Sequence, residues 1–225
     1  MLSAQRPVAR AFFALGAATV VVALAIQIPI TAAARDGFFN TPGARVANLF
    51  AFFTILSNVL VGVTDAVFAA RPRSRSTLLS VARFDAVSAI TVTGVVYHLL
   101  LAGRYHLHGA EEFANQLFHT VTPLLTVAGW LLFGPRRLVG RRVVALSLLY
   151  PVAWLVFTLV RGAIIGWYPY PFLDVDELGY ARVALTCAAI TLLFLGLAAC
   201  YAAIDRVLAR RAAEHRAPPG AKIQA

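Results

Sequence analysis

The stretch VVALSLLYPVAWLVFTLVRGAIIG, residues 143–166, contains 24 residues and a single charged side chain, Arg161. A helix needs roughly 20 mostly apolar residues to cross the hydrocarbon core of a bilayer, so this stretch is long enough to span one. The whole chain of 225 residues is 60% hydrophobic and 13% charged, whereas soluble domains are about 25% charged. The composition therefore indicates a membrane as the solvent of this chain.

Five further apolar runs resemble this one, and the six together predict an all-α membrane protein with six transmembrane helices. They cover residues 11–31, 46–70, 81–103, 114–133, 143–166 and 180–207. The transmembrane domain is expected over residues 1–211, with a disordered cytoplasmic tail over residues 212–225. The first run, with Arg6 and Arg10 before it, also fits a cleaved signal peptide, but its length and the five runs after it favour a retained span.

Arginines fall in short clusters whose density alternates from one connection to the next. The dense clusters contain Arg6, Arg10, Arg71, Arg73, Arg75, Arg83, Arg136, Arg137, Arg141, Arg142, Arg206, Arg210 and Arg211. The opposite connections hold few arginines, and the last of them is acidic. Because cytoplasmic loops are enriched in Lys and Arg, this pattern predicts that both termini are cytoplasmic.

The net charge of +10 does not indicate a nucleic-acid partner, because the basic residues form no continuous face. Lys222 is the only lysine, and the preference for arginine and alanine is typical of a bacterial protein, which suggests the bacterial cytoplasmic membrane. The last outer connection holds Trp167, Tyr168 and Tyr170, which predict an aromatic belt at the membrane interface.

Several polar residues are expected at one depth in the outer half of the bundle. Thr54 lies roughly 12 Å into its descending span and His119 about 8 Å into the next descending span, at 1.5 Å per helical residue. The rising spans bring Tyr97, His98 and Arg161 to the same level. Helical spacing places Asn58 on the face of Thr54 and Asn115 on the face of His119, so these side chains are predicted to line one cavity.

Each of these residues also has a structural interpretation. A threonine in a span commonly bonds to its own helix, a histidine can be a packing residue, and Arg161 and His98 can extend to the outer interface. Asp65 lies too deep to contact His119 and is interpreted as structural. Gly162 and Gly166 form a GxxxG pair, which predicts close helix packing.

The sequence gives no sign of a cofactor. Cys187 and Cys200 share the last run and would lie about 20 Å apart on a helix, too far to form a disulfide. No metal-ligand spacing, glycine-rich phosphate loop or internal repeat occurs in the sequence. We therefore predict neither a metal nor a cofactor.

The pair of Thr54 and His119 supplies the parts of a nucleophilic site. A threonine hydroxyl becomes an effective nucleophile when an adjacent neutral imidazole removes its proton. Asn58, Asn115 or Arg161 would bind the developing oxyanion or a substrate carboxylate. The expected wall for a fatty acyl chain is formed by Phe50, Phe52, Phe53 and Leu117.

Two segments resemble a known family. Phe53-Thr54-Ile55-Leu56-Ser57-Asn58 is similar to the threonine-bearing segment of the androgen-induced and androgen-dependent transmembrane hydrolases. Asn115-Gln116-Leu117-Phe118-His119-Thr120, followed by Pro123, is similar to their histidine-bearing segment, and residues 168–174 are similar to their last outer loop. The resemblance implies a threonine hydrolase of fatty acid esters of hydroxy fatty acids, with Thr54 as nucleophile and His119 as its histidine.

The leading hypothesis is therefore a membrane-embedded lipid ester hydrolase, with a fatty acyl ester reached from the bilayer as its substrate. Asn115 is the candidate for orienting His119. One alternative is a non-enzymatic lipid-binding or transport protein in which Arg161 and His98 bind an anionic head group, and another is a purely structural helix bundle. The oligomeric state and the natural substrate are left open by the sequence.

Overall fold

The computed structural model describes residues 5–35, 37–71, 76–104, 106–134 and 139–214. Over these residues the regular structure is helical, without a strand. Its α-helices are α1 Gln5–Ala33, α2 Pro42–Leu49, α3 Phe53–Ala70, α4 Thr77–Val96, α5 Gly109–Gln116, α6 Thr122–Phe133, α7 Arg141–Ser147, α8 Leu149–Ile165, α9 Val175–Leu178 and α10 Tyr180–Glu214. The predicted all-α fold is confirmed.

Within the described ranges, six continuous helical segments are long and apolar enough to cross a membrane, as the sequence predicts. They are Arg6–Ala33, Phe53–Ala70, Thr77–Leu101, Gly109–Phe133, Arg141–Ile165 and Tyr180–Arg211. Helix α10 continues to Glu214. Residues 215–225 of the expected tail, and Arg73, Arg75, Arg136 and Arg137 of the predicted clusters, lie outside the described residues.

The second predicted span is wrong at its start, because the chain breaks between α2 and α3. Phe50 N–H bonds to the Ala47 carbonyl at 3.2 Å, which tightens the end of α2, and Phe52 is extended with φ −75° and ψ 130°. The Trp154 indole N–H donates to the Ala51 carbonyl at 2.9 Å and so supplies a partner inside the break. Thr54 consequently lies in the first turn of α3.

A π-helical turn, Tyr97–Leu101, ends the third spanning segment, and a second one, Leu117–Val121, interrupts the fourth. In the second turn Thr122 N–H bonds to the Leu117 carbonyl, one residue earlier than in an α-helix, so the Phe118 carbonyl needs another donor. The Asn58 amide Nδ2 supplies it at 3.3 Å. Gly94 permits the approach of α4, since a Cβ there would lie 3.2 Å from the His119 carbonyl oxygen.

Helix α4 forms the centre of the bundle together with α1 and α3, where Val20, Val61, Ala86 and Ile90 are almost fully buried. Arg83 was predicted to belong to a cytoplasmic loop cluster, and that prediction is wrong. It is a buried residue of α4, and its Nη1 lies 2.5 Å from Asp65 Oδ1. A buried charge requires a partner, so this ion pair gives Asp65 a structural environment.

The connection between α8 and α10 folds back into the bundle. Tyr168 and Tyr170 are each only 8% exposed, so the predicted aromatic belt is wrong for these two residues. The Asp174 carboxylate accepts from Asp176 N–H and Glu177 N–H and caps α9, which fixes the end of the inward-folded segment.

The GxxxG interpretation of Gly162 and Gly166 is also wrong. A Cβ at Gly162 would lie 2.0 Å from the Tyr168 ring, so this glycine makes room for the loop. Gly166 has φ +68° and ends α8 in the left-handed conformation that glycine adopts without strain. The pair therefore positions the connection after α8.

Candidate active site

The structure brings Thr54 and His119 together. Thr54 Oγ1 lies 3.4 Å from His119 Nε2, slightly beyond the roughly 2.6–3.2 Å that is common for a nucleophile and its base. Thr54 is 7% exposed at the start of α3, and His119 is half-buried in the second π-helical turn. Both residues therefore lie where regular α-helix is interrupted.

The tautomer of His119 follows from the hydrogen-bond partner of its other ring nitrogen, Nδ1. His119 Nδ1 lies 3.0 Å from the main-chain carbonyl oxygen of Asn115. A carbonyl oxygen only accepts hydrogen bonds, so Nδ1 carries the proton and Nε2 presents its lone pair to Thr54. The predicted orienting role of Asn115 thus falls to its main chain.

The Asn115 side chain has a different contact. Its Nδ2 donates to the Tyr97 hydroxyl at 2.6 Å. The Tyr97 ring stacks on the His119 imidazole, with centroids 4.0 Å apart and an interplanar angle of 21°. The Asn115 side chain therefore holds the Tyr97 ring, and the Tyr97 ring fixes the plane of the His119 imidazole.

Tyr170 is a site residue that the sequence analysis missed. Its hydroxyl accepts from Thr54 N–H at 3.1 Å and lies 3.2 Å from Thr54 Oγ1. Burial raises the pKa of Tyr170, so the phenol keeps its proton and can donate it. The similarity of residues 168–174 to the hydrolase loop was the signal, but aromatic residues beside prolines also fit an interfacial belt.

These contacts define one direction for the hydrogen bonds. Since Nε2 of His119 is an acceptor, the Thr54 hydroxyl donates its proton to Nε2. The hydrogen bond between Tyr170 and Thr54 Oγ1 must then be donated by the Tyr170 hydroxyl. The chain of donors runs from Tyr170 through Thr54 and His119 to the Asn115 carbonyl. This is the protonation pattern that a general-base mechanism requires at its start.

Asn58 holds the two halves of the site together. Its Nδ2 lies 2.8 Å from the Thr54 carbonyl oxygen and 3.3 Å from the Phe118 carbonyl oxygen, so it bridges α3 to the π-helical turn of His119. Asn58 is fully buried and does not line the cavity. Its position fits a positioning residue better than the expected oxyanion donor.

Arg161 and His98 do not join this cluster. Arg161 Nη2 donates to Asn48 Oδ1 at 2.8 Å, and its guanidinium lies over the Phe39 and Trp167 rings. His98 is exposed, and its Nε2 lies 3.2 Å from Thr120 Oγ1. Neither side chain lines the cavity, so the predicted placement in its wall is wrong for both, although the His98 ring contacts that of Tyr97 with centroids 5.1 Å apart.

A cavity of about 130 Å³ meets the site. Its polar end is formed by Thr54, Tyr97, His119 and Tyr170, and its remaining wall is mostly apolar. That wall contains Phe53, Val92, Thr93, Val96, Leu101, Leu148, Pro151, Val152, Trp154, Leu155, Phe172, Leu173, Cys187, Ile190, Thr191, Phe194 and Leu195. Ligand sites commonly combine such an apolar wall with a few polar groups.

The acyl wall predicted from the sequence was largely misplaced. Of its four members only Phe53 lines the cavity. Phe50 is 41% exposed, Phe52 packs on the rings of Trp167 and Tyr170, and Leu117 belongs to a separate apolar cluster. Among the described residues, no three His, Cys, Asp or Glu side chains are grouped so that they could hold a metal ion.

No protein-family profile, curated protein or solved structure matches this chain. The resemblance to the transmembrane threonine hydrolases therefore rests on the short segments around Thr54 and His119 and on the loop of Tyr170.

Proposed function

We propose that this chain is a membrane-embedded lipid ester hydrolase in which Thr54 is the nucleophile and His119 the general base. The observation that carries the proposal is the directed hydrogen-bond chain from Tyr170 through Thr54 and His119 to the Asn115 carbonyl. The Thr54 hydroxyl contacts a base that can take its proton, and the tautomer of that base is fixed by the Asn115 carbonyl. The apolar cavity beside it suits a fatty acyl chain.

The reaction has two steps. Thr54 Oγ1 attacks the ester carbonyl carbon while His119 Nε2 takes the hydroxyl proton, and the Tyr170 hydroxyl donates to the oxyanion that forms. The bond between the carbonyl carbon and the alcohol oxygen then breaks, and His119 returns the proton to the leaving alcohol. Water, activated by the same imidazole, hydrolyses the acyl-threonine to a fatty acid and restores Thr54.

The proposed setting is the bacterial cytoplasmic membrane, with both termini in the cytoplasm and the site in the outer half of the bundle. This orientation is supported by the exposed arginines Arg10, Arg71, Arg141 and Arg142 at one end of the spanning helices and by the acidic residues Asp174, Asp176 and Glu177 at the other. Fatty acid esters of hydroxy fatty acids are the substrate class that the family resemblance implies.

The alternative of a lipid carrier is less well supported. It relied on Arg161 and His98 binding an anionic head group in the cavity, and neither residue lines that cavity. A carrier also needs no contact between Thr54 Oγ1 and His119 Nε2.

The proposal is tested by hydrolysis of a hydroxy-fatty-acid ester by the purified protein in detergent or vesicles. We expect Thr54→Ala and His119→Ala each to lower kcat by about a thousandfold or more, because each removes a group that acts in the transition state. Thr54→Ser keeps a hydroxyl and should retain measurable turnover.

Thr158→Val is the matched control, since Thr158 is another buried helical threonine but lies outside the cavity. It should behave as wild type. The proposal fails if wild type hydrolyses no ester, or if Thr54→Ala turns over like the control.

A further inference from the structure

The cavity reaches the side of the bundle between α8 and α10. Val152 of α8 is 56% exposed and Leu195 of α10 is 42% exposed, and both residues also line the cavity. Thr191, one turn before Leu195 on α10, is likewise exposed and lines it. Side chains that are exposed outside and line a cavity inside stand at its rim, so these three residues mark an opening.

This opening lies midway along two spanning segments, Arg141–Ile165, which contains α7 and α8, and Tyr180–Arg211, which belongs to α10. Val152 is 11 residues from Arg141 and 13 from Ile165, and Leu195 is 15 residues from Tyr180 and 16 from Arg211. In spanning helices of this length the midpoint corresponds to the hydrocarbon core, which is about 30 Å thick. The opening therefore faces the hydrocarbon core of the bilayer. A lipid chain enters from this medium more easily than a water-soluble substrate does.

The surfaces on either side of the opening have the same character. Val156 and Val160 of α8 are 56% and 55% exposed, and Leu185 and Leu192 of α10 are 72% and 69% exposed. Exposed apolar side chains of this kind are compatible with lipid contact and not with a polar vestibule. The opening is thus surrounded by lipid-compatible surface on both helices.

The reactive end of the cavity is covered by the connection that follows α8. Tyr170, Phe172 and Leu173 line the cavity from this segment, and Leu173 is only 2% exposed. Access to Thr54 from that side requires displacement of these residues, whereas the opening at Val152 and Leu195 is already formed.

We propose that a bilayer lipid ester reaches Thr54 sideways, through a portal between α8 and α10 rimmed by Val152, Thr191 and Leu195. The part of its acyl chain next to the ester lies in the cavity between α4, α8 and α10, the rest extends through the portal, and its ester carbonyl lies against Thr54. The inference rests on the proposed function for the identity of the reaction, but the route of the chain is a separate property of the fold.

The portal is tested by narrowing it with Val152→Trp and Leu195→Trp. The matched controls are Val156→Trp and Leu192→Trp, which add the same bulk to exposed positions of the same helices that do not line the cavity. Two substrates are compared, a hexadecanoyl ester carried in phosphatidylcholine vesicles and a water-soluble acetate ester.

The rim variants should lose about tenfold or more of kcat/KM on the long ester while keeping acetate hydrolysis, because the long chain must remain threaded through the portal, whereas an acetyl group does not extend into it. The controls should hydrolyse both esters like wild type. Equal behaviour of rim and control variants on the long ester would overturn the portal.

A second readout needs no turnover. A diazirine-bearing hexadecanoic acid in the same vesicles should crosslink to cavity residues of α8 and α10 in wild type, and less so in Leu195→Trp than in Leu192→Trp. Crosslinks in the cavity without hydrolysis of either ester would support the portal and contradict the proposed function. Hydrolysis of the long ester with crosslinks confined to the outer faces of the bundle would contradict the portal alone.

Discussion

The Tyr170 hydroxyl makes two contacts with one residue, accepting from Thr54 N–H and lying 3.2 Å from Thr54 Oγ1. In the proposed reaction, Thr54 Oγ1 becomes a poorer acceptor as it bonds to the substrate carbon, and the phenol proton then turns to the new oxyanion. An oxyanion donor of this kind acts more strongly in the transition state than in the resting enzyme.

Tyr170→Phe should therefore lower kcat by about a hundredfold, with a smaller change in KM, since oxyanion donors contribute on this scale. Because burial raises the pKa of Tyr170, the phenol stays protonated in the neutral and mildly alkaline range, and its contribution should persist there. Steady-state kinetics on the long ester measure both quantities.

Tyr168→Phe is the control, because Tyr168 lies in the same segment and is equally buried, at 8% exposure. It should leave kcat within about twofold of wild type, because it keeps the ring that packs on Gly162 and removes a hydroxyl that does not contact Thr54. A Tyr170→Phe variant as active as Tyr168→Phe would remove Tyr170 from the mechanism.

Among the individual residues of the candidate site, the sequence predicts Thr54 and His119 but not the groups that contact them. His119 stands out because an imidazole is conspicuous in an apolar run, and Thr54 because its segment resembles the threonine-bearing segment of the transmembrane hydrolases. The His119 imidazole is oriented by the main-chain carbonyl of Asn115, a group that every residue carries and that the sequence therefore does not reveal. Tyr170 was missed because tyrosines beside prolines are equally typical of the membrane interface.

At the level of elements, the site is built where α-helices are interrupted. The break before α3 places Thr54 in a first helical turn, and the π-helical turn at Leu117–Val121 holds His119. A turn of π-helix is often found at functional sites because it frees main-chain groups and redirects a side chain. Here the Phe118 carbonyl bonds to Asn58.

Gly162 provides a test of how α8 positions the segment of Tyr170. An alanine Cβ at residue 162 would lie 2.0 Å from the Tyr168 ring, so Gly162→Ala should displace the segment and lower both esterase activity and stability. Overpacking of this kind costs about 1–3 kcal/mol. Kinetics and thermal unfolding of the purified protein measure the two effects.

The matched variant is Gly196→Ala in α10, where a Cβ would meet no atom within 4 Å. Alanine favours helix there, so stability should be equal to or above that of wild type. If Gly162→Ala matches Gly196→Ala in activity and unfolding temperature, the segment is not held in the described position.

Hydropathy predicts the six long helices because each needs a long apolar run, and a run of that length is visible in the sequence. Hydropathy is averaged over many residues, so it does not show interruptions such as the residues between α2 and α3, which are as apolar as their neighbours. It also hides Arg83, whose charge indicates a loop although its ion pair with Asp65 lies inside the bundle.

For the whole molecule, the proposed orientation predicts which loops face the outside of the cell. In a variant with Cys187→Ala and Cys200→Ala, a cysteine at exposed His106 should react with a membrane-impermeant maleimide in intact cells. A cysteine at exposed Thr77, at the opposite end of α4, should react only after the cytoplasmic membrane is permeabilised.

The reverse labelling pattern would place the site in the cytoplasmic leaflet. It would leave the contact between Thr54 and His119 unchanged, so the orientation and the chemistry are independent claims. Reaction of both cysteines in intact cells would contradict a single orientation of the six helices.

The position of a covalent adduct on the protein tests the assignment of Thr54 as nucleophile. The purified protein is treated with a lipophilic fluorophosphonate, digested, and its peptides are mapped by mass spectrometry. We expect phosphonylation of Thr54, strongly reduced in His119→Ala because the base is missing. An adduct on the neighbouring buried Ser57 instead, or labelling of Thr54 that does not depend on His119, would contradict it.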